Sequence, residues 1–109
     1  MDDHAVFRSW AREVLAHEGF DVVGEAEDGE TAIRLAAELR PEIVLLDIQL
    51  PDQDGFAVAR VIGDGAEIVL TSGRAPEDYG RRLAESGHPF VRKVDLDGAS
   101  LEAALEPRG

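Results

Sequence analysis

The sequence has no cysteine, which excludes a disulfide framework and any thiolate-ligated metal centre. A reducing compartment, most simply the cytoplasm, is the setting this predicts. Basic residues are scarce: 11 lysines and arginines stand against 23 aspartates and glutamates, a net charge of −12. A phosphate backbone demands clustered cations, so this balance argues against nucleic acid as a direct partner. It suits a chain that meets basic surfaces or gathers cations, and it confers solubility in either case. No run approaches the roughly 18 consecutive apolar residues of a membrane span. The first residues are acidic, where a signal peptide is basic, so no membrane partner is expected. Internal repeats, low-complexity tracts and interdomain linkers are also absent, and 109 residues with 44% apolar side chains predict a single globular domain, 1–109.

What is present alternates between two periodicities. Val6, Phe7, Trp10, Ala11, Val14 and Leu15 recur at helical spacing over residues 5–18, with Gly19 as the stop. Phe7 and Trp10 read as core residues. "FDVVG" (20–24) is a short β-rich run. Asp28 is placed to cap a helix over 31–40, carried by Ala32, Leu35, Ala36 and Leu39 and ended by Pro41. "EIVLLD" (42–47) and "EIVLT" (67–71) are apolar without alternation, as strands buried on both faces of a parallel sheet are. Between them lie a loop, a helix over 56–62 and a "GDG" turn. A helix over 76–86 opens on Pro76 and ends at Gly87, but Gly80 and few apolar anchors make it the weakest element. "PFVRK" (89–93) reads as a strand and 98–106 as a final helix. Such alternation calls for a parallel sheet with helices on both faces.

In sheets of this kind functional residues collect beyond the carboxyl ends of the strands. Three strands here end in polar groups: Asp47, then Thr71 with Ser72, then Lys93. A carboxylate can attack a phosphoryl group, a hydroxyl can bond the resulting oxygens, and an ammonium can neutralise their charge. An anionic donor approaching Asp47 also needs a divalent cation such as Mg²⁺ with further hard oxygen ligands. Asp2 and Asp3, at the start of the first helix, are candidates for that role as well as for helix capping. His4, His17 and His88 share no ligand spacing and read as surface residues.

Taken in order, "DDH" (2–4), "GEAEDGETAIRL" (24–35), "PEIVLLDIQLPDQDG" (41–55), "IVLTSG" (68–73) and "FVRK" (90–93) resemble the receiver domain of two-component response regulators over nearly the whole chain. The resemblance implies a flavodoxin-like doubly wound α/β fold. It makes Asp47 the phosphoacceptor, Asp3 a direct Mg²⁺ ligand with Asp2 behind it, and the backbone carbonyl of Gln49 a further ligand. Thr71 and Phe90 become the switch residues, and Lys93 joins Thr71 in contacting the phosphoryl group, while Pro51 and Gly55 shape the loop after the acceptor. It implies a histidine kinase as phosphodonor, an unidentified downstream protein or output domain as reader, and no conventional enzyme activity.

Two departures from the family pattern stand out. Val94 follows Lys93 where many receivers carry a cis proline, so a trans bond is expected there. Receivers also begin with a buried central strand ahead of the acidic pair, and only Met1 precedes Asp2. The expectation is therefore a receiver lacking its first strand, with four strands and five helices. A clipped start, a strand at 20–24 shifted to pair with 42–47, and a homodimer lending a strand each accommodate the gap. Two other functions stay open at this stage. A degenerate receiver would act as an unphosphorylated interaction module. An aspartyl phosphatase would need a second acid two residues after Asp47, where Gln49 stands.

Overall fold

The computed structural model describes residues 5–17, 19 and 24–96. Three parallel strands, Ile43–Asp47 (β1), Glu67–Ser72 (β2) and Phe90–Arg92 (β3), pair in the order β1-β2-β3. The two apolar runs are buried as their lack of alternation predicts, and each face of the sheet has its own cover. Val44, Leu46, Ile68 and Leu70 form one core with Ala32, Phe56, Val58 and Ala59. Val69 and Val91, with Ile43 and Leu45 beside them, form the other with Ala11, Phe7 and Leu15. The first group of partners lies on helices Gly29–Leu39 (α2) and Gly55–Ile62 (α3), and the second on Ala5–His17 (α1). The strand period of two thus sends alternate residues to opposite helical layers.

Helix ends follow local chemistry. Asp28 caps α2 by accepting the Thr31 N–H at 2.8 Å, and α2 begins two residues earlier than its apolar pattern suggests. It stops at Arg40, left-handed at φ 46°, whose N–H donates to the Ala36 carbonyl at 3.1 Å before Pro41 forces an exit. Asp54 caps α3 through the Phe56 N–H at 2.7 Å. Among the described residues no helix is long and apolar enough to cross a membrane.

The single helix expected over 76–86 is in fact two elements. A 3-10 turn, Pro76–Asp78, is followed by a break at Gly80 (φ 54°, ψ −128°) and then by the short helix Arg81–Ser86 (α4). Gly80 tolerates a conformation closed to residues with a Cβ, and the break leaves Tyr79 turned inward. Its ring sits between those of Phe56 (centroids 6.0 Å apart) and Phe90 (6.4 Å). Burying that ring outweighs continuing a helix with few apolar anchors. No peptide bond among the described residues is cis, so Lys93–Val94 is trans as expected, and a 3-10 turn, Lys93–Asp95, follows β3. The strand expected at 20–24, apart from Gly24, which lies outside any strand, and the helix expected at 98–106 fall outside the described residues.

One close approach governs the rim of the sheet. A Cβ on Gly55 would stand 2.4 Å from the Asp47 carbonyl oxygen and 2.6 Å from the Ile48 Cα, both backbone atoms. Gly55→Ala is therefore expected to destabilise the domain by about 2–3 kcal/mol in urea denaturation, through overpacking that rigid backbone cannot relieve. Gly65→Ala, at a glycine with no neighbouring atom within 4 Å of the added carbon, should change stability by less than about 0.5 kcal/mol.

Candidate functional site

Register brings the polar strand ends level. Asp47 pairs with Thr71 across β1 and β2, and Thr71 with Val91 across β2 and β3. Lys93 follows two residues later, so acid, hydroxyl and ammonium share one rim. Asp47 is 2% exposed. Its Oδ2 accepts from Lys93 Nζ at 2.9 Å and its Oδ1 from the Gln49 N–H, also at 2.9 Å. A buried carboxylate is tolerated only when paired and hydrogen-bonded in this way. Thr71 is buried, and its hydroxyl donates to the Val91 carbonyl at 2.6 Å.

The rim opens into a crevice of about 560 Å³ lined by Asp47, Lys93, Gln49 and Gly73 on one side and by Val6, Phe7 and Trp10 of α1 on the other. Phe7 packs into the core cluster on that face, as read from the sequence, but Trp10 does not belong to the core. It is 42% exposed, because it lies with Val6 on the flank of the buried stripe of Phe7, Ala11 and Leu15, where both line the crevice. Lys93 Nζ lies 4.5 Å from the centre of the Phe7 ring. His17 is exposed and His88 half-buried.

The loop after Asp47 is held from outside. Asp52 accepts the Gly29 N–H at 2.7 Å and the Glu30 N–H at 3.0 Å, adding to the Asp28 cap on the first turn of α2. Asp54, the cap of α3, also pairs with Arg82 of α4, whose guanidinium lies 4.6 Å from the centre of the Phe56 ring. Behind Thr71, the buried Ser72 hydroxyl meets the Tyr79 hydroxyl at 2.5 Å and accepts the Arg74 N–H at 3.1 Å. Phe90 is half-buried against the same core as Tyr79. The sequence pattern carries no local signal for Asp52, Arg82 or Tyr79 in these roles, since each partner lies at least seven residues away. Pro51 and Gly55 flank this loop, and Gly55 is the residue that lets α3 start against the backbone of Asp47 and Ile48.

Asp2, Asp3 and His4 lie outside the described residues. Among the described residues no three acidic or histidine side chains cluster as a ready-made metal cage. What the described rim offers is hard oxygen: the Asp47 carboxylate and the Gln49 backbone beside an open crevice. That donor chemistry fits Mg²⁺, which takes one or two carboxylates and completes its octahedron with water and phosphate oxygens.

A doubly wound parallel sheet of the flavodoxin-like type, with an acid, a hydroxyl and a lysine at its carboxyl rim, is the class that fold and site define. The chain belongs to the response regulator receiver domain family, whose model matches residues 1–105. It is 37% identical over 90 residues to the virulence-factor transcription regulator BvgA of Bordetella pertussis, a match covering 80% of this chain and 43% of BvgA. It is 34% identical over 88 residues to the transcriptional regulatory protein PdtaR of Mycobacterium tuberculosis, covering 79% of this chain and 43% of PdtaR. The chain thus spans less than half the length of these curated relatives. Among solved structures, the signal receiver domain of the response regulator NarL from M. tuberculosis superposes with a TM-score of 0.81 at 30% identity, covering 97% of this chain and 93% of that one. The CheX–CheY–BeF3–Mg complex from Borrelia burgdorferi matches with a TM-score of 0.81 at 26% identity, covering 95% and 81%.

The clamp on the loop after Asp47 has a pH signature. The Gly29 N–H, and less strongly the Glu30 N–H and the Gln53 side chain, hold the Asp52 carboxyl below its ordinary value of 3.8 against a smaller opposing effect of desolvation. A depressed folded pKa means stability that is present above the unfolded value and lost as pH falls through the folded one. In urea midpoints, wild type should exceed Asp52→Asn by a constant margin above about pH 5, and the margin should shrink as pH drops below about 4. A margin independent of pH would show that the charge on Asp52 contributes nothing.

Proposed function

We propose that this receiver domain is a working phosphoacceptor in which Asp47 takes a phosphoryl group from a histidine kinase or a small phosphodonor. The observation that carries the reading is the buried Asp47 carboxylate, 2.9 Å from Lys93 Nζ and level in register with Thr71. One carboxylate oxygen of Asp47 attacks phosphorus while the bond to the donor breaks and its electron pair leaves with the donor, an imidazole nitrogen in the case of a phosphohistidine. The product is an acyl phosphate, and attack of water on its phosphorus returns the carboxylate and free phosphate. Bound Mg²⁺, held by Asp47, the Gln49 carbonyl and Asp3 with Asp2 behind it, would neutralise the phosphoryl oxygens. Lys93 moves its ammonium from carboxylate to phosphoryl oxygen, a charge-assisted contact that needs little displacement. Thr71 exchanges the Val91 carbonyl for a phosphoryl oxygen.

That exchange is the origin of the switch. Losing the Thr71 hydroxyl frees the Val91 carbonyl beside Phe90, and Phe90 is packed on Tyr79, which in turn bonds Ser72 next to Thr71. Residues 71–93 therefore respond as a unit, and a partner protein or output domain reads that face. Relatives named as transcription regulators support gene regulation as the output. The net charge of −12 favours a protein partner over direct contact with nucleic acid.

Incubation with acetyl phosphate and Mg²⁺ should add a single phosphoryl group detectable by intact-protein mass spectrometry, and Asp47→Asn should abolish it. Trp10 fluorescence should report Mg²⁺ addition, since the indole lines the same crevice as Asp47. An unlabelled wild-type protein under these conditions would replace the phosphoacceptor reading with that of a constitutive interaction module.

A further inference from the structure

We infer that Phe7 is a positioning residue for Lys93: the face of its ring holds the ammonium against Asp47 and so fixes where the cation meets an incoming phosphoryl group. The consequence for phosphorylation rests on the function proposed above, whereas the positioning itself does not. A lysine is a poor candidate for a fixed contact, because its charge sits at the end of a flexible four-carbon stem. Lys93 nonetheless reaches across the rim to Asp47, 46 residues earlier, and its side chain is only 15% exposed. Its Nζ is 2.9 Å from the Asp47 Oδ2 and lies over the Phe7 ring, 4.5 Å from its centre. That second distance is well inside the roughly 6 Å over which an aromatic face attracts a cation.

Phe7 is itself well held. It packs against the core cluster of Ala11, Val69, Val91 and Leu96, and its ring centroid is 5.9 Å from that of Trp10. Helix α1 is anchored beside it and a turn further on, where Arg8 and Arg12 both pair with Glu25. The ring therefore presents a fixed negative face from one side of the crevice while the carboxylate presents its charge from the other. A leucine at this position would fill much of the same volume and keep the apolar wall, but it has no quadrupole to hold the ammonium. Packing and positioning can thus be separated by substitution.

The experiment compares wild type, Phe7→Leu and Phe7→Tyr, each first confirmed to melt cooperatively by circular dichroism. In the unphosphorylated wild-type protein the Lys93 Cε protons should be shifted upfield by the ring current of Phe7. Phe7→Tyr should keep that shift and Phe7→Leu should lose it. With acetyl phosphate and Mg²⁺, Phe7→Leu should slow labelling of Asp47 about fivefold, in keeping with a partly desolvated cation–π contact, and Phe7→Tyr should restore the rate. In a Lys93→Met background Phe7→Leu should produce no further slowing, because the two side chains act as one unit. Unshifted Lys93 protons in wild type, or an equal slowing by Phe7→Leu with and without Lys93, would overturn the inference. A wild-type protein that takes no label would instead sink the phosphoacceptor reading, and the proton shift would still decide the role of Phe7.

Discussion

A carboxylate removed almost wholly from water, with an ammonium 2.9 Å away, is the constraint around which this domain is arranged. An ionised group of that kind is costly unless its charge is matched and its lone pairs are used. Both conditions depend on geometry far from the pair itself. Asp47 ends β1 and Lys93 follows β3, so they meet only because β2 lies between them with its end level with both. The parallel register is therefore a condition for neutralising the charge. The Gln49 N–H that satisfies the other oxygen depends in turn on how the chain turns after β1. That turn is shaped where Gly55 lets α3 begin against the backbone of Asp47 and Ile48.

Around this pair the structure is held with unequal strength. The two apolar clusters bury the strands on both faces and fix α1, α2 and α3. Helix α4, six residues long, contributes no buried residue. Its ties are the half-buried Leu83 against the core and Arg82 to Asp54 and Phe56, with the preceding Tyr79 reaching Ser72, and the exposed ion pair among them contributes at most about 1 kcal/mol. Few buried apolar contacts and a reliance on exposed polar ones are the marks of a segment that rearranges at little cost. The loop after Asp47 is the opposite case. Asp52 ties it to α2, and Asp54 begins α3, so it is pinned at both ends.

How much of this the sequence discloses follows from the range of each interaction. The runs "IVLLD" and "EIVLT" announce buried parallel strands, and the polar residues that close them announce the rim, because both signals are local. Asp28 as a helix cap and Gly87 as a helix stop are local too. The segment 76–86 deceives because Pro76 and Leu83 fit a helix, while the decisive contribution comes from burying Tyr79 between Phe56 and Phe90, residues distant in the chain. Trp10 deceives for a related reason. Helical period assigns it to the apolar stripe of α1 but cannot tell how much of that stripe's width is covered, and Trp10 lies on the exposed flank with Val6. Asp52 on α2 and Phe7 beneath Lys93 are invisible to any local pattern, since each joins segments that only the fold brings together.

The same burial that makes Asp47 demanding at rest determines how a change of charge there would be absorbed. Converting the carboxylate into an acyl phosphate adds roughly one negative charge to a place where the Lys93 ammonium already balances Asp47. At a carboxylate only 2% exposed that excess is incompletely dissipated by solvent, so it is met by a cation and by donors within reach. Beyond the Gln49 N–H, already bonded to Asp47, an uncharged donor on the same rim is the Thr71 hydroxyl, which is committed to the Val91 carbonyl. Recruiting it leaves a buried acceptor unpaired, at a cost of about 1–3 kcal/mol unless the neighbouring backbone adjusts. The core packed against β1 and β2 resists adjustment, whereas β3 is three residues long and α4 has no fully buried residue. On the function proposed above, the response to charge at Asp47 would therefore run through Thr71 and Val91 towards Phe90 and Tyr79, the direction in which the structure yields most cheaply.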